Sequence, residues 1–228
     1  MKIFITSTGT NIGKTYISCL LIDYIKNIKQ QKIHAIKPII SGFKFEETPN
    51  DLYNLCNSLG LKYSKNNLKK ITRYFFEKPL SPDMAARISN IEEAKIDEII
   101  KFIQKIEAEE KNDYLIIEGA GGAFVPINKT ENTSDLIAKT AEKIVLVVGS
   151  YLGSLSHTIS CVHAMKTLNI QPDLIIISQN LDAKNELFIK ESETIKSLEN
   201  FIDIPIISVG KNKKFSQKNQ KIIDEYIL

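Results

Sequence analysis

Short apolar runs alternate with longer amphipathic stretches along the whole chain. Ile3–Thr6, His34–Ile36, Tyr114–Ile117, Ile144–Val148, Leu174–Ile177 and Ile204–Ser208 are mostly β-branched and apolar at consecutive positions. That pattern predicts parallel strands covered on both faces. Lys14–Ile28, Asp51–Leu59, Ile91–Glu107, Leu155–Leu168, Asn185–Leu198 and Gln217–Tyr226 carry the longer period of helices. The alternation predicts an α/β fold, a doubly wound, mainly parallel sheet with helices on both faces. The segment from Phe43 to Pro82 is polar and broken, with Thr48-Pro49-Asn50-Asp51 reading as a turn into a helix capped by Asn50 or Asp51. Long polar insertions in such folds tend to lie beyond the C-terminal strand ends, where ligands bind. With no internal repeat, low-complexity tract or linker, residues 1–228 read as one domain.

Composition narrows the classes. Hydrophobic residues make up 43% and charged residues 25% of the 228 positions, as in a globular protein with a real core. The net charge of +3 is spread without a dense basic block, so no nucleic-acid partner is expected. Cys19, Cys56 and Cys161 are far apart, form no C-x-x-C pair and indicate neither a disulfide framework nor a zinc knuckle. Cys19 reads as a buried reduced thiol. The N-terminus opens directly on a strand without an apolar signal segment. No apolar run approaches the roughly 18 residues that span a bilayer. A cytoplasmic protein with no membrane partner is the expectation.

The chemistry concentrates after the first strand. Ser7-Thr8-Gly9-Thr10-Asn11-Ile12-Gly13-Lys14-Thr15 joins that strand to a helix. Inward backbone N–H groups of such a loop, with the helix N-terminus, form an anion site. Gly9 and Gly13 allow conformations and close approaches that a Cβ would hinder. Lys14 would reach the outer phosphates and the Thr15 hydroxyl would ligate Mg2+. The bland alternative is a glycine turn with an ordinary helix start. A lysine in the first helical turn opposes the macrodipole, however, so its place calls for an anion nearby. The loop is a variant, because Thr8 stands where a P-loop usually has its first glycine. The fold predicted is thus P-loop NTPase-like.

Three later segments end candidate strands. Lys37-Pro38-Ile39-Ile40-Ser41-Gly42 follows the second, and Pro38 pushes Lys37 towards extended geometry at the sheet's C-terminal edge. A solvated strand-end lysine is the alternative. Glu118 closes Tyr114–Ile117, too apolar to hold an unpaired carboxylate cheaply, and a metal ion there would resolve the conflict. Gly119-Ala120-Gly121-Gly122 would then let backbone approach ligand. Gly153-Ser154-Leu155-Ser156-His157-Thr158 opens a helix and offers a second anion site. His157 reads as a structural hydrogen-bonding group.

The set of segments resembles the dethiobiotin synthetase family, whose loop is typically G-T-D-T-x-V-G-K-T. Thr8, Thr10, Gly13, Lys14 and Thr15 agree with it, while Ser7 and Gly9 replace a Gly and an Asp. Lys37–Gly42 is similar to the family's K-P-x-x-S/T-G. Glu118–Gly122 with Val125-Pro126 is similar to E-G-A-G-G-x-x-x-P, and Leu152–Thr158 to L-G-x-I-N-H-T. The matches span Ile3 to about Asn180. Ser156 stands where Asn is usual, and Asp83 where a His is common.

The resemblance implies ATP-dependent carboxylation and cyclisation of 7,8-diaminononanoate with CO2 in biotin biosynthesis. It implies Lys14, Lys37 and Thr10 in catalysis, and Thr15, Asp51 and Glu118 as Mg2+ ligands. Asp51 by itself reads equally as a helix cap. ATP would meet Gly9, Thr10, Asn11, Ile12, Gly13, Lys14, Thr15, Glu118 and Gly121. Its base would meet Asn180, in a register open among Ser178, Gln179 and Asn180, and Pro205. The diamine would meet Ser41, and Gly153, Ser154 and Ser156 across a homodimer interface. Rivals are a partition or septum-site switch ATPase and a non-catalytic nucleotide-binding module. The first lacks its signature lysine here, since Ser7–Thr10 contains none. The second sits poorly with Lys14, Thr15, Lys37 and Glu118 together. An amidotransferase acting on cobyrinic acid derivatives would need a further glutaminase domain.

Overall fold

The computed structural model describes residues 1–109, 111–179, 191–210 and 214–228. Six parallel strands form the main sheet in the order β2-β5-β1-β6-β7-β8. They are β1 (Lys2–Ser7), β2 (Ile33–Ile36), β5 (Tyr114–Glu118), β6 (Lys143–Gly149), β7 (Leu174–Gln179) and β8 (Ile206–Gly210). All six predicted strands are present. Ile3, Phe4, Ile5, Ile116, Ile117 and Val145 are fully buried, as doubly covered parallel strands require. Such apolar side chains each contribute roughly 1.5–3 kcal/mol on burial.

The order of strands places the site. After β1 the chain passes through α1 (Lys14–Asp23) to the edge strand β2, and β5 then returns to lie between them. From β5 it runs through α6 (Thr133–Thr140) across β1 to β6. This reversal opens a crevice at the C-terminal ends of β1 and β5, where α/β sheets bind ligands. In register, Ile5 lies opposite Glu118, so the phosphate loop and the acidic strand end emerge side by side.

Two short strands lie outside the six predicted. Pro38 cannot donate to a ladder, and the chain leaves the main sheet there. Beyond it β3 (Ile39–Ser41) pairs in parallel with β4 (Tyr74–Phe76), and the polar insertion between them carries α2 (Asp51–Leu59) and α3 (Lys65–Ile71). The remaining helices are α4 (Pro82–Ser89), α5 (Ile96–Glu109), α7 (Ser154–Thr167), α8 (Glu191–Glu199) and α9 (Gln217–Tyr226). The predicted helix Lys14–Ile28 is α1 followed by a π-helical turn, Tyr24–Ile28. The helix expected from Ile91 begins at Ile96, because Asn90 adopts a left-handed φ of 51° at the end of α4 and an irregular stretch follows.

Candidate active site

The phosphate loop is shaped by two close approaches. Gly13, with φ 106°, caps α1 in a conformation few side chains tolerate, which makes Lys14 its first residue. A Cβ on Gly122 would stand 3.2 Å from both Gly9 N and Ser7 O, so the glycine turn after β5 lies directly against the loop. Gly9 itself has no such constraint: a Cβ there would meet only Ile12, at 3.8 Å. Ser7 does more than its place as a stand-in for glycine suggested. Its hydroxyl donates to Gly9 O at 2.5 Å and accepts from Lys14 Nζ at 3.0 Å.

Behind the loop an ionic network, buried except at the partly exposed Asp51, joins three elements. Glu118 at the end of β5 is 0% exposed. Its Oε1 accepts from Thr15 Oγ1 at 2.6 Å and from Lys37 Nζ at 2.7 Å, while Oε2 accepts from Ser18 Oγ at 2.8 Å. Lys37 also donates to Asp51 Oδ2 at 2.6 Å. Asp51 is free for this because Asn50 caps α2, its side chain accepting from Tyr53 N at 2.9 Å. Of the two readings of Asp51, the helix cap is thus excluded. Lys37 reaches this point from the break between β2 and β3, its own N–H donating to Ile71 O. It is buried, not solvated.

The two lysines differ electrostatically. Burial pushes Lys14 down to about 8, the Lys37 charge adding to the effect while Glu118 and Asp51 oppose it. Burial acts on Lys37 in the same direction, but Glu118 and Asp51 outweigh it and hold the ammonium well above its ordinary range. For Asp51, burial is outweighed by Lys37, with Thr15 and Lys14 contributing, and its carboxyl lies below the usual value. Lys37 is therefore a fixed cation, whereas Lys14 lies without a carboxylate in hydrogen-bonding range among the contacts described.

These groups open on a cavity of about 980 Å³ lined by Thr10, Asn11, Gly13, Lys14, Thr15, Lys37, Ser41, Asp51 and Gly121, among others. Its size suits a nucleotide with a small co-substrate. The Ser41 hydroxyl is buried with no hydrogen-bond partner among the described residues and sits in this lining. Gly9, Ile12 and Glu118 stand behind it. Cys19 also lines the cavity, but burial raises its thiol to about 12, which removes it as a nucleophile. Asn54, Asn57 and Ser58 of α2, and Ser81 before α4, complete the polar wall and lay outside the sequence reading. So did Ser18, although its place three residues after Thr15 on one helix was a readable signal.

Not every expected site residue gathers here. Gly153, Ser154 and Ser156 lie at the N-terminus of α7, outside the cavity lining. Ser154 is buried and its hydroxyl unpartnered among the described residues, while Ser156 is exposed. His157 Nδ1 and Tyr151 Oη are 2.9 Å apart, which fits the structural role expected for this histidine. Pro205 precedes β8, its carbonyl accepting from Ile175 N at 2.9 Å, and is not in the lining. Asn180 lies outside the described residues.

Known proteins share both fold and sequence. The structure superposes on the septum-site-determining protein MinD complexed with Mg-ADP from Pyrococcus horikoshii with a TM-score of 0.53, covering 92% of this chain and 81% of that one at 14% identity. A MinC:MinD cell division complex from Aquifex aeolicus gives 0.52, covering 98% and 85% at 14% identity. At such identity these likenesses show the fold alone. A family profile described as an AAA domain matches residues 1–214. The protein named ATP-dependent dethiobiotin synthetase BioD in Methanococcus vannielii is 35% identical over 93% of this chain and 94% of its own length. The proteins of that name in a Hydrogenobaculum and a Caulobacter species are 37% and 32% identical, over 75% and 88% of this chain and 74% and 84% of their own lengths. On that identity over most of both lengths, the chain belongs to the ATP-dependent dethiobiotin synthetase family.

Proposed function

We propose that this protein converts 7,8-diaminononanoate, CO2 and ATP to dethiobiotin, ADP and phosphate. One amine adds to CO2 and loses a proton, giving a carbamate. The γ-phosphoryl group of ATP is transferred to a carbamate oxygen, giving a mixed anhydride and ADP. The second amine then attacks the carbamoyl carbon, phosphate leaves with the C–O bonding pair, and the cyclic urea closes. The observation that carries this reading is that two buried lysines, Lys14 and Lys37, open on one cavity that also holds the Ser41 hydroxyl.

The arrangement supports a role for each residue. The loop from Gly9 to Thr15 cradles the triphosphate through backbone N–H groups and the α1 N-terminus. Lys14, which has no carboxylate within hydrogen-bonding range among the described residues, turns to the transferred phosphoryl group. Lys37 holds the carbamate and neutralises the charge that develops on transfer. Thr10 donates to the carbamate or the phosphate, and Ser41 to the substrate. Proximity of the two amines supplies much of the ring-closing rate. Asn180 and the backbone near Pro205 read the base. Thr15, Asp51 and Glu118 would hold Mg2+: they are hard oxygen donors, and the ammonium between the two carboxylates marks where a cation is favoured. The bound ion would supply charge neutralisation on the phosphate oxygens.

The exposed start of α7 supports reading the protein as a homodimer. Leu152 is 77% exposed and Leu155 37%, next to Ser154, whose hydroxyl has no partner among the described residues. A second copy covering this end would bring Gly153, Ser154 and Ser156 to the diamine carboxylate. The deciding assay measures ADP release and dethiobiotin formation with and without the diamine, in wild type and Lys37→Ala. Turnover that depends on the diamine and is lost in the variant supports the reading. Robust ATP hydrolysis indifferent to the diamine would favour a switch ATPase instead.

A further inference from the structure

Glu118 is gripped from one side by a single helix. Thr15 and Ser18, three residues apart on α1, lie on the same helical face and each donates to a different oxygen of the carboxylate, at 2.6 and 2.8 Å. Ser18 is fully buried, and a mid-helix serine can otherwise bond back to its own helix. Here its hydroxyl reaches across to β5 instead. The terminal torsion of a glutamate is broad, so the carboxylate orientation is set by its hydrogen bonds. Lys37 and Thr15 both act on Oε1; Ser18 alone donates to Oε2 among the contacts described.

We propose that Ser18 is a positioning residue that fixes the rotation of Glu118 so that its charge is delivered at the Thr15–Lys37–Asp51 centre. The inference rests on the reading of Glu118 as a ligand of a divalent cation. Without the Ser18 hydroxyl, Oε2 has one lone pair fewer engaged and the carboxylate plane turns more freely. A group that orients a metal ligand through a hydrogen bond affects metal affinity first, and such partners commonly change it by about 10- to 100-fold.

The test uses the full-length protein with ADP and Mn2+ as the probe ion, free and bound Mn2+ being separated by their electron paramagnetic resonance signals. Ser18→Ala should weaken Mn2+ binding by roughly 10-fold or more, and Ser18→Thr, which keeps the hydroxyl, should restore it. Thr140→Ala serves as a control, since it deletes another buried hydroxyl, bonded to Leu136 O, outside the cavity lining. It should lower thermal stability without moving Mn2+ affinity. Wild-type Mn2+ affinity in Ser18→Ala would overturn the positioning role. Equal Mn2+ binding by wild type and Glu118→Gln would instead overturn the metal assignment beneath it.

Discussion

The two ends of the proposed substrate site are built differently. At the phosphate loop, Lys37, Asp51, Glu118, Thr15 and Ser18 satisfy one another within one chain, at distances of 2.6–2.8 Å. At the start of α7, Ser154 and Thr158 are buried hydroxyls with no partner among the described residues, and Leu152 and Leu155 face solvent beside them. Buried polar groups are normally hydrogen-bonded. The first end is organised for charge before ligand arrives. The second leaves two buried hydroxyls without a partner among the described residues. Phosphoryl transfer gains from donors that need no rearrangement, which is where the network lies.

Breaking the complete end should have the largest effect. Lys37→Ala should lower turnover about 1000-fold by removing a fixed charge from the transfer step. It should also cost about 3–5 kcal/mol of stability, because Glu118 stays buried without its cation; steady-state kinetics and thermal unfolding check both. Lys14→Met should lower turnover about 100-fold, yet stabilise the nucleotide-free protein. A lysine whose value falls from 10.5 to about 8 on folding disfavours the folded state at neutral pH. That burden, on the order of 3 kcal/mol, lessens as pH rises from about 8 towards 10.5, since the unfolded chain then binds more protons. The stability gap between Lys14→Met and wild type should therefore shrink over that window in unfolding experiments.

At the other end, Ser154→Ala should raise the KM for the diamine by about tenfold, the worth of a hydrogen bond to a charged group. Its KM for ATP and its stability should stay close to wild type, since the hydroxyl has no partner in its own subunit among the described residues. The smallest effect concerns Cys19. With its thiol raised to about 12, alkylation by iodoacetamide at pH 8 should be slower than for a free thiol. Mass spectrometry of the modified peptide would measure it.

Much of the organised end was readable in advance. The apolar runs marked the six main strands, and α2 and α9 have the predicted bounds. Lys37 and Glu118 were legible because each ends an apolar run, where a charged residue needs a reason. Other features depend on contacts between distant residues. Strands β3 and β4 have three residues each, and their pairing joins Ile39 with Tyr74 across the polar insertion. Helix α6 carried a readable signal, the capping box of Asn132 and Asp135, that its polar surroundings concealed. The contact from Ser18 to Glu118 required the strand order to place β5 beside β1. The α7 end was legible as a motif, but a motif does not show that two of its hydroxyls are buried without a partner among the described residues.

The central claim is that this site joins CO2 to a diamine at the expense of one ATP. The most direct measurement is a turnover with 13C-labelled bicarbonate, the diamine and Mg-ATP, followed by mass spectrometry of the product and counting of ADP. The account predicts one labelled carbon in the cyclic urea for each ADP released. ADP released without labelled product would contradict it.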